Sequence, residues 1–98
     1  MKSQDVIDVL RGHADALRER GVKHAALFGS MARGEADSQS DIDIMIELDP
    51  AHHVDLFAYV GIKDYIAGLF SGPVDVVDVD ALKPHLRRPA ATDAIYAF

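Results

Sequence analysis

The sequence predicts one α/β (α+β) domain, a small β-sheet covered by helices, and three observations carry that expectation. The chain opens on apolar residues at helical spacing, Val6, Ile7, Leu10, Ala14 and Leu17. Three short strand-like runs follow, at 22–28, 41–48 and 73–80. Between the second and third lies another stretch with a broad apolar stripe at helical spacing. The 98 residues fit a single domain spanning 1–98. A chain of that size buries roughly 60–65% of its unfolded surface around one core.

Ser3 is placed to cap the first helix and Gly21 to end it, so one continuous helix is expected between them. Its other face carries Asp8, Arg11, Asp15, Arg18 and Glu19, a solvated surface. His13 reads as a packing or surface residue and not a ligand. Ala25-Ala26-Leu27-Phe28 is the buried part of the first strand. In 41–48 the side chains alternate, with Ile42, Ile44, Ile46 and Leu48 toward the core and Asp41, Asp43, Met45 and Glu47 on the other face. Asp49-Pro50 signals a helix start. Val54, Phe57, Ala58, Ile62, Tyr65, Ile66, Leu69 and Phe70 then form a stripe that should cover the sheet as far as Ser71-Gly72. Gly61 weakens that helix by about 1 kcal/mol against alanine and offers room for close packing. His52-His53 are adjacent, a poor arrangement for chelating one ion from a helix.

Sixteen acidic and ten basic side chains give a net charge of −6. That balance repels a polyanion, which argues against free DNA or RNA as a substrate. The chain has no cysteine, which excludes disulfides and Cys-based zinc sites and fits a reducing, cytoplasmic setting. No apolar run approaches a membrane span, and Lys2, Asp5 and Asp8 interrupt any secretion-signal pattern at the start.

The chemistry is concentrated in 27–47. Asp41 and Asp43 point the same way from one strand, roughly 7 Å apart along the backbone. Bare, they repel by about 2 kcal/mol at an effective dielectric of about 20, and a cation reverses that sign. Oxygen-only ligands suit Mg²⁺ or Mn²⁺. The competing reading is a solvated strand face. Ahead of them, Gly29-Ser30 falls where a turn must begin, and free N–H groups over Ser30–Arg33 would make an anion site. Arg33 suits either a phosphate or a nearby carboxylate. In 73–80, Asp75 shares its face with Val77 and Val79, opposite Val74 and Val76. An acid there calls for compensation, which a cation on Asp41 and Asp43 would supply. Asp78 and Asp80 are its rivals, with strand termination or turn capping as their other role. Lys83, His85, Arg87 and Arg88 form a basic stretch, either solvated or a phosphate or protein contact. The closing Ala94–Phe98 is apolar and either packs on the core or places Tyr96 and Phe98 in an interface, which leaves room for a homo-oligomer.

Gly29-Ser30-Met31-Ala32-Arg33-Gly34 followed by Ser40-Asp41-Ile42-Asp43 resembles the signature of the nucleotidyltransferase superfamily related to DNA polymerase beta. It is similar in particular to the small stand-alone members, the minimal nucleotidyltransferase (MNT) domains, and the likeness covers nearly the whole chain. The resemblance implies a polymerase beta-like core, a small mixed sheet covered by helices. It implies ATP as substrate, its phosphates on Gly29 and Ser30 with Arg33, and Mg²⁺ (or Mn²⁺) on Asp41, Asp43 and Asp75. Asp75 would be the third carboxylate that helps deprotonate the attacking hydroxyl. MNT domains of this kind act as antitoxins of HEPN-domain ribonuclease toxins, transferring AMP to a toxin tyrosine. The implied function is therefore a protein adenylyltransferase antitoxin. Two alternatives stand beside it: a non-catalytic module that masks a partner sterically, and a metal-stabilised domain without transfer activity.

Overall fold

The computed structural model describes residues 2–29, 42–81, 85 and 94–98. Two helices, α1 (Ser3–Gly12) and α2 (Ala14–Glu19), lead into β1 (Val22–Phe28) and β2 (Ile42–Leu48). A 3₁₀ turn at Pro50–His52 precedes α3 (Leu56–Ala67), and β3 (Val74–Asp78) and β4 (Ile95–Tyr96) complete the sheet. The strands lie in the order β3-β2-β1-β4. β2 runs antiparallel to β1 and parallel to β3, and β4 runs antiparallel to β1. The sheet is therefore mixed, as expected.

One sheet face is dry. Ile42, Ile44 and Ile46 of β2, Ala25 and Leu27 of β1 and Val76 of β3 join Val6, Ile7, Leu10, Leu17, Ile62 and Ile66 from the helices in a single buried cluster. Each fully buried aliphatic side chain contributes about 1.5–3 kcal/mol of transfer free energy. The period-two alternation of β2 selects this face, so the carboxylate of Asp43 must emerge on the other. Met45 shares the Asp43 face yet is only 3% exposed, so that face is not uniformly polar.

Several local expectations are corrected. The first helix is broken at His13, whose φ of −109° and ψ of 12° leave the helical region. Gly12 precedes it, and His13 Nδ1 shares a 2.8 Å hydrogen bond with the Tyr65 hydroxyl on α3, so a tertiary contact fixes the bend. Ser3 is not the cap but the first helical residue. The first turn is closed by Asp5, whose carboxylate accepts the Lys2 N–H at 3.0 Å.

Asp49-Pro50 starts only the 3₁₀ turn, which ends at His53 in the left-handed region (φ 53°, ψ 53°). Asp55 is the true cap of α3, its carboxylate accepting the Ala58 N–H at 2.7 Å. Ile62 and Ile66 of the expected stripe are buried, whereas Phe57, in the first turn of the helix, is 86% exposed beside Leu56 at 72%. The helix also ends at Ala67, before Ser71-Gly72. Finally, the chain end supplies a strand too short to show a period. Ala97 N–H donates to the Ala25 carbonyl at 2.8 Å, Arg11 Nε donates to the Ala97 carbonyl at 2.9 Å, and Ala97 is buried.

Gly61 is not a close-packing position. A Cβ there would meet nothing nearer than the Arg20 guanidinium, 3.9 Å away. Gly61→Ala should therefore raise stability by about 0.5–1 kcal/mol through helix propensity and a less free unfolded chain. Urea denaturation reads this as a higher midpoint at constant slope.

Candidate active site

The register brings the end of β1, the start of β2 and the start of β3 into one row: Phe28 pairs with Asp43 and Asp43 pairs with Asp75. Parallel neighbours in register present their side chains on the same face, and adjacent strands lie about 4.8 Å apart. Asp43 and Asp75 thus stand side by side, the first half-buried and the second exposed. Asp75 has the parity expected for it: Val76 is buried in the core cluster on the opposite face.

Gly29 follows β1 directly and adopts φ +77°. A Cβ built on it would collide with the Asp43 carboxylate Oδ2 and lie 3.2 Å from Asp43 Cγ. From sequence, this glycine is expected to leave room for close approach of a phosphate. In the fold its missing side chain also makes space for the Asp43 carboxylate, so the turn and the acid are coupled sterically. A left-handed φ costs a non-glycine residue roughly 1–2 kcal/mol, which reinforces glycine at this point.

Asp41, Ser30 and Arg33, the other predicted site residues, lie outside the described residues. Among the described residues no group of three His, Cys, Asp or Glu side chains could hold a metal ion. The pair that is present fits a hard divalent cation. Like charges directly opposite on neighbouring strands destabilise a sheet, and two carboxylates are the protein share that Mg²⁺ ordinarily takes, water and substrate phosphate filling the rest. The rivals have structural work. Asp78 ends β3 opposite Ile46, and its carboxylate accepts the Asp80 N–H at 2.9 Å, closing the turn that follows.

Sequence reasoning overlooked a cleft further along the same face, where His24 of β1 pairs with Glu47 of β2 and Tyr96 of β4 closes the side. Only the strand register brings these three together, so no spacing along the chain announces them.

Residues 10–97 match the family described as the nucleotidyltransferase domain. The chain belongs to that family. As a nucleotidyltransferase domain it is 33% identical over 94 residues to MJ1379 of Methanocaldococcus jannaschii, named as a candidate protein adenylyltransferase, with 94% of each chain covered. It is 30% identical over 94 residues to the protein adenylyltransferase MntA of Thermococcus cleftensis, covering 95% of this chain and 93% of MntA. The nucleotidyltransferase fold is matched by a solved structure described as a candidate minimal nucleotidyltransferase, with TM-score 0.72, 29% identity and coverage of 97% and 95%. It is also matched by the complex of a tri-AMPylated Shewanella oneidensis HEPN toxin with its MNT antitoxin, with TM-score 0.63, 21% identity and coverage of 94% and 71%. This last likeness is one of fold. Within the described residues of this nucleotidyltransferase domain no helix is long and apolar enough to cross a membrane.

Proposed function

We propose that this nucleotidyltransferase transfers AMP from ATP to a protein hydroxyl, a tyrosine of a HEPN-domain ribonuclease toxin, and thereby acts as the antitoxin. The observation that carries the reading is the row formed by Asp43 and Asp75, with Gly29 pressed against the Asp43 carboxylate. The names of the sequence relatives support a protein acceptor. The HEPN partner is taken from the MNT complex of like fold.

In this reading Asp41, Asp43 and Asp75 are the ligands of Mg²⁺ or Mn²⁺, and Gly29, Ser30 and Arg33 receive the triphosphate. A bound divalent ion would supply charge neutralisation of the phosphates and alignment for in-line displacement. Asp75, exposed at the edge of the row, takes the proton from the acceptor hydroxyl. The hydroxyl oxygen forms its bond to the α-phosphorus as the bond to the β-phosphate oxygen breaks, and pyrophosphate leaves. Asp43, held by Gly29 on one side and the sheet on the other, fixes the geometry, which is where most of the rate enhancement would arise.

Incubation with α-labelled ATP, Mg²⁺ and the co-purified partner should place label on the partner, and peptide mapping should find AMP on a tyrosine. Equal labelling by Asp41→Asn/Asp43→Asn protein would overturn the mechanism. The masking alternative makes a different forecast in cells: an Asp41→Asn/Asp43→Asn/Asp75→Asn variant would still protect fully.

A further inference from the structure

A cleft of about 240 Å³ opens on the sheet face that carries Asp43 and Asp75, with His24, Met45, Glu47, Val79, Asp80 and Tyr96 among its walls. Its chemistry is divided. Met45 and Val79 give it apolar walls. Tyr96 is 49% exposed, and the His24 ring stands edge-on to it, 6.0 Å between centroids at 86°. Glu47 closes another side. Its carboxylate is 3.9 Å from His24 Nε2, beyond hydrogen-bond distance, and accepts no hydrogen bond among the described residues. The cleft therefore presents an aromatic face, an apolar wall and a carboxylate with acceptor capacity to spare.

One kind of occupant meets all three demands: a side chain with an apolar stem and a cationic head. The stem lies along Met45 and Val79, and the head pairs with the Glu47 carboxylate beside the His24 ring, which stands between Glu47 and Tyr96. An anion would face Glu47 and Asp80, and a wholly apolar group would leave the Glu47 carboxylate desolvated without a partner. A guanidinium fits better than an ammonium, because its fork can give the carboxylate two parallel N–H donors.

We propose that this cleft is a specificity pocket for an arginine of the protein that receives AMP. The proposal rests on the transfer reaction set out above. Glu47 lies four residues along β2 from Asp43, about 13 Å at strand rise. The acceptor thus carries its arginine at that distance from the hydroxyl that is modified. Affinity for the acceptor and selection of it come from the cleft, and chemistry from the aspartate row.

The full chain, observed through its backbone amide resonances, is titrated with N-acetyl-arginine methylamide and with the neutral isostere N-acetyl-citrulline methylamide. The amides of His24, Glu47, Val79 and Tyr96 should shift saturably with arginine, with a dissociation constant on the order of millimolar. They should not respond to citrulline, and Glu47→Gln should weaken the arginine response at least about fivefold. Equal shifts with both compounds, shifts with adenosine in place of arginine, or no localised shift would each overturn the pocket. These readouts need no AMP transfer, so they separate failure of the cleft from failure of the reaction. In the transfer assay Glu47→Gln should raise KM for the acceptor protein about tenfold against a change of less than about twofold in kcat. An unchanged acceptor KM overturns the pocket and leaves AMP transfer standing, whereas a wild-type chain that transfers nothing overturns the acceptor role together with the reaction.

Discussion

Asp43→Asn should lower kcat for AMP transfer by at least about 10³-fold while the domain stays folded. Asparagine keeps the shape that packs beside Gly29 but loses the charge that a divalent cation requires. It also removes one of two like charges set opposite each other in the Asp43–Asp75 row. Thermal melts should still show one cooperative unfolding transition. Single-turnover labelling from ATP and thermal melts of the same samples give the two readouts. A loss of less than about tenfold in rate would mean that the row does not serve the transfer.

Gly29→Ala should damage both stability and activity, for separable reasons. The backbone at φ +77° is strained for alanine by about 1–2 kcal/mol. The added methyl would occupy the place of Asp43 Oδ2. The carboxylate must swing away, and a displacement on the order of 1 Å in a catalytic group costs about 10²-fold in rate. The expected result is a destabilisation of about 1–2 kcal/mol in denaturant titration with kcat down about 10²-fold. A variant with full activity would show that the position of Asp43 is not set by the glycine.

These two predictions draw on different amounts of sequence information. The alternation in 41–48 puts the isoleucines inward and Asp43 outward, and the same period applied to 73–80 puts Asp75 on the face opposite Val76. Both assignments agree with the described strands, because a two-residue period is rigid once one face is buried. The pairing of Asp43 with Asp75 followed only once the register was known. The steric lock between Gly29 and Asp43 was not legible, since fourteen positions separate them and their contact depends on β1 meeting β2. The helices were less faithful to pattern. Asp49-Pro50 is the start signal expected from sequence, yet the chain turns left-handed at His53 and the helix is capped by Asp55. The break at His13 depends on Tyr65, far away in sequence. The cap of α3 lies six residues later than expected, at Asp55 in place of Asp49, which puts Phe57 in the first turn of the helix, outside the core. Ser30, Arg33 and Asp41 remain assignments from sequence, outside the described residues.

If Asp43 and Asp75 serve one metal-bound nucleotide beside Gly29, a paramagnetic ion bound with the nucleotide must lie next to all three. Mn²⁺ with a non-hydrolysable ATP analogue, added to the isotope-labelled chain, broadens amide resonances according to their distance from the ion. Broadening should centre on Gly29, Asp43 and Asp75 and vanish in the Asp43→Asn/Asp75→Asn chain. Broadening centred elsewhere, or unchanged in that double variant, would contradict that arrangement.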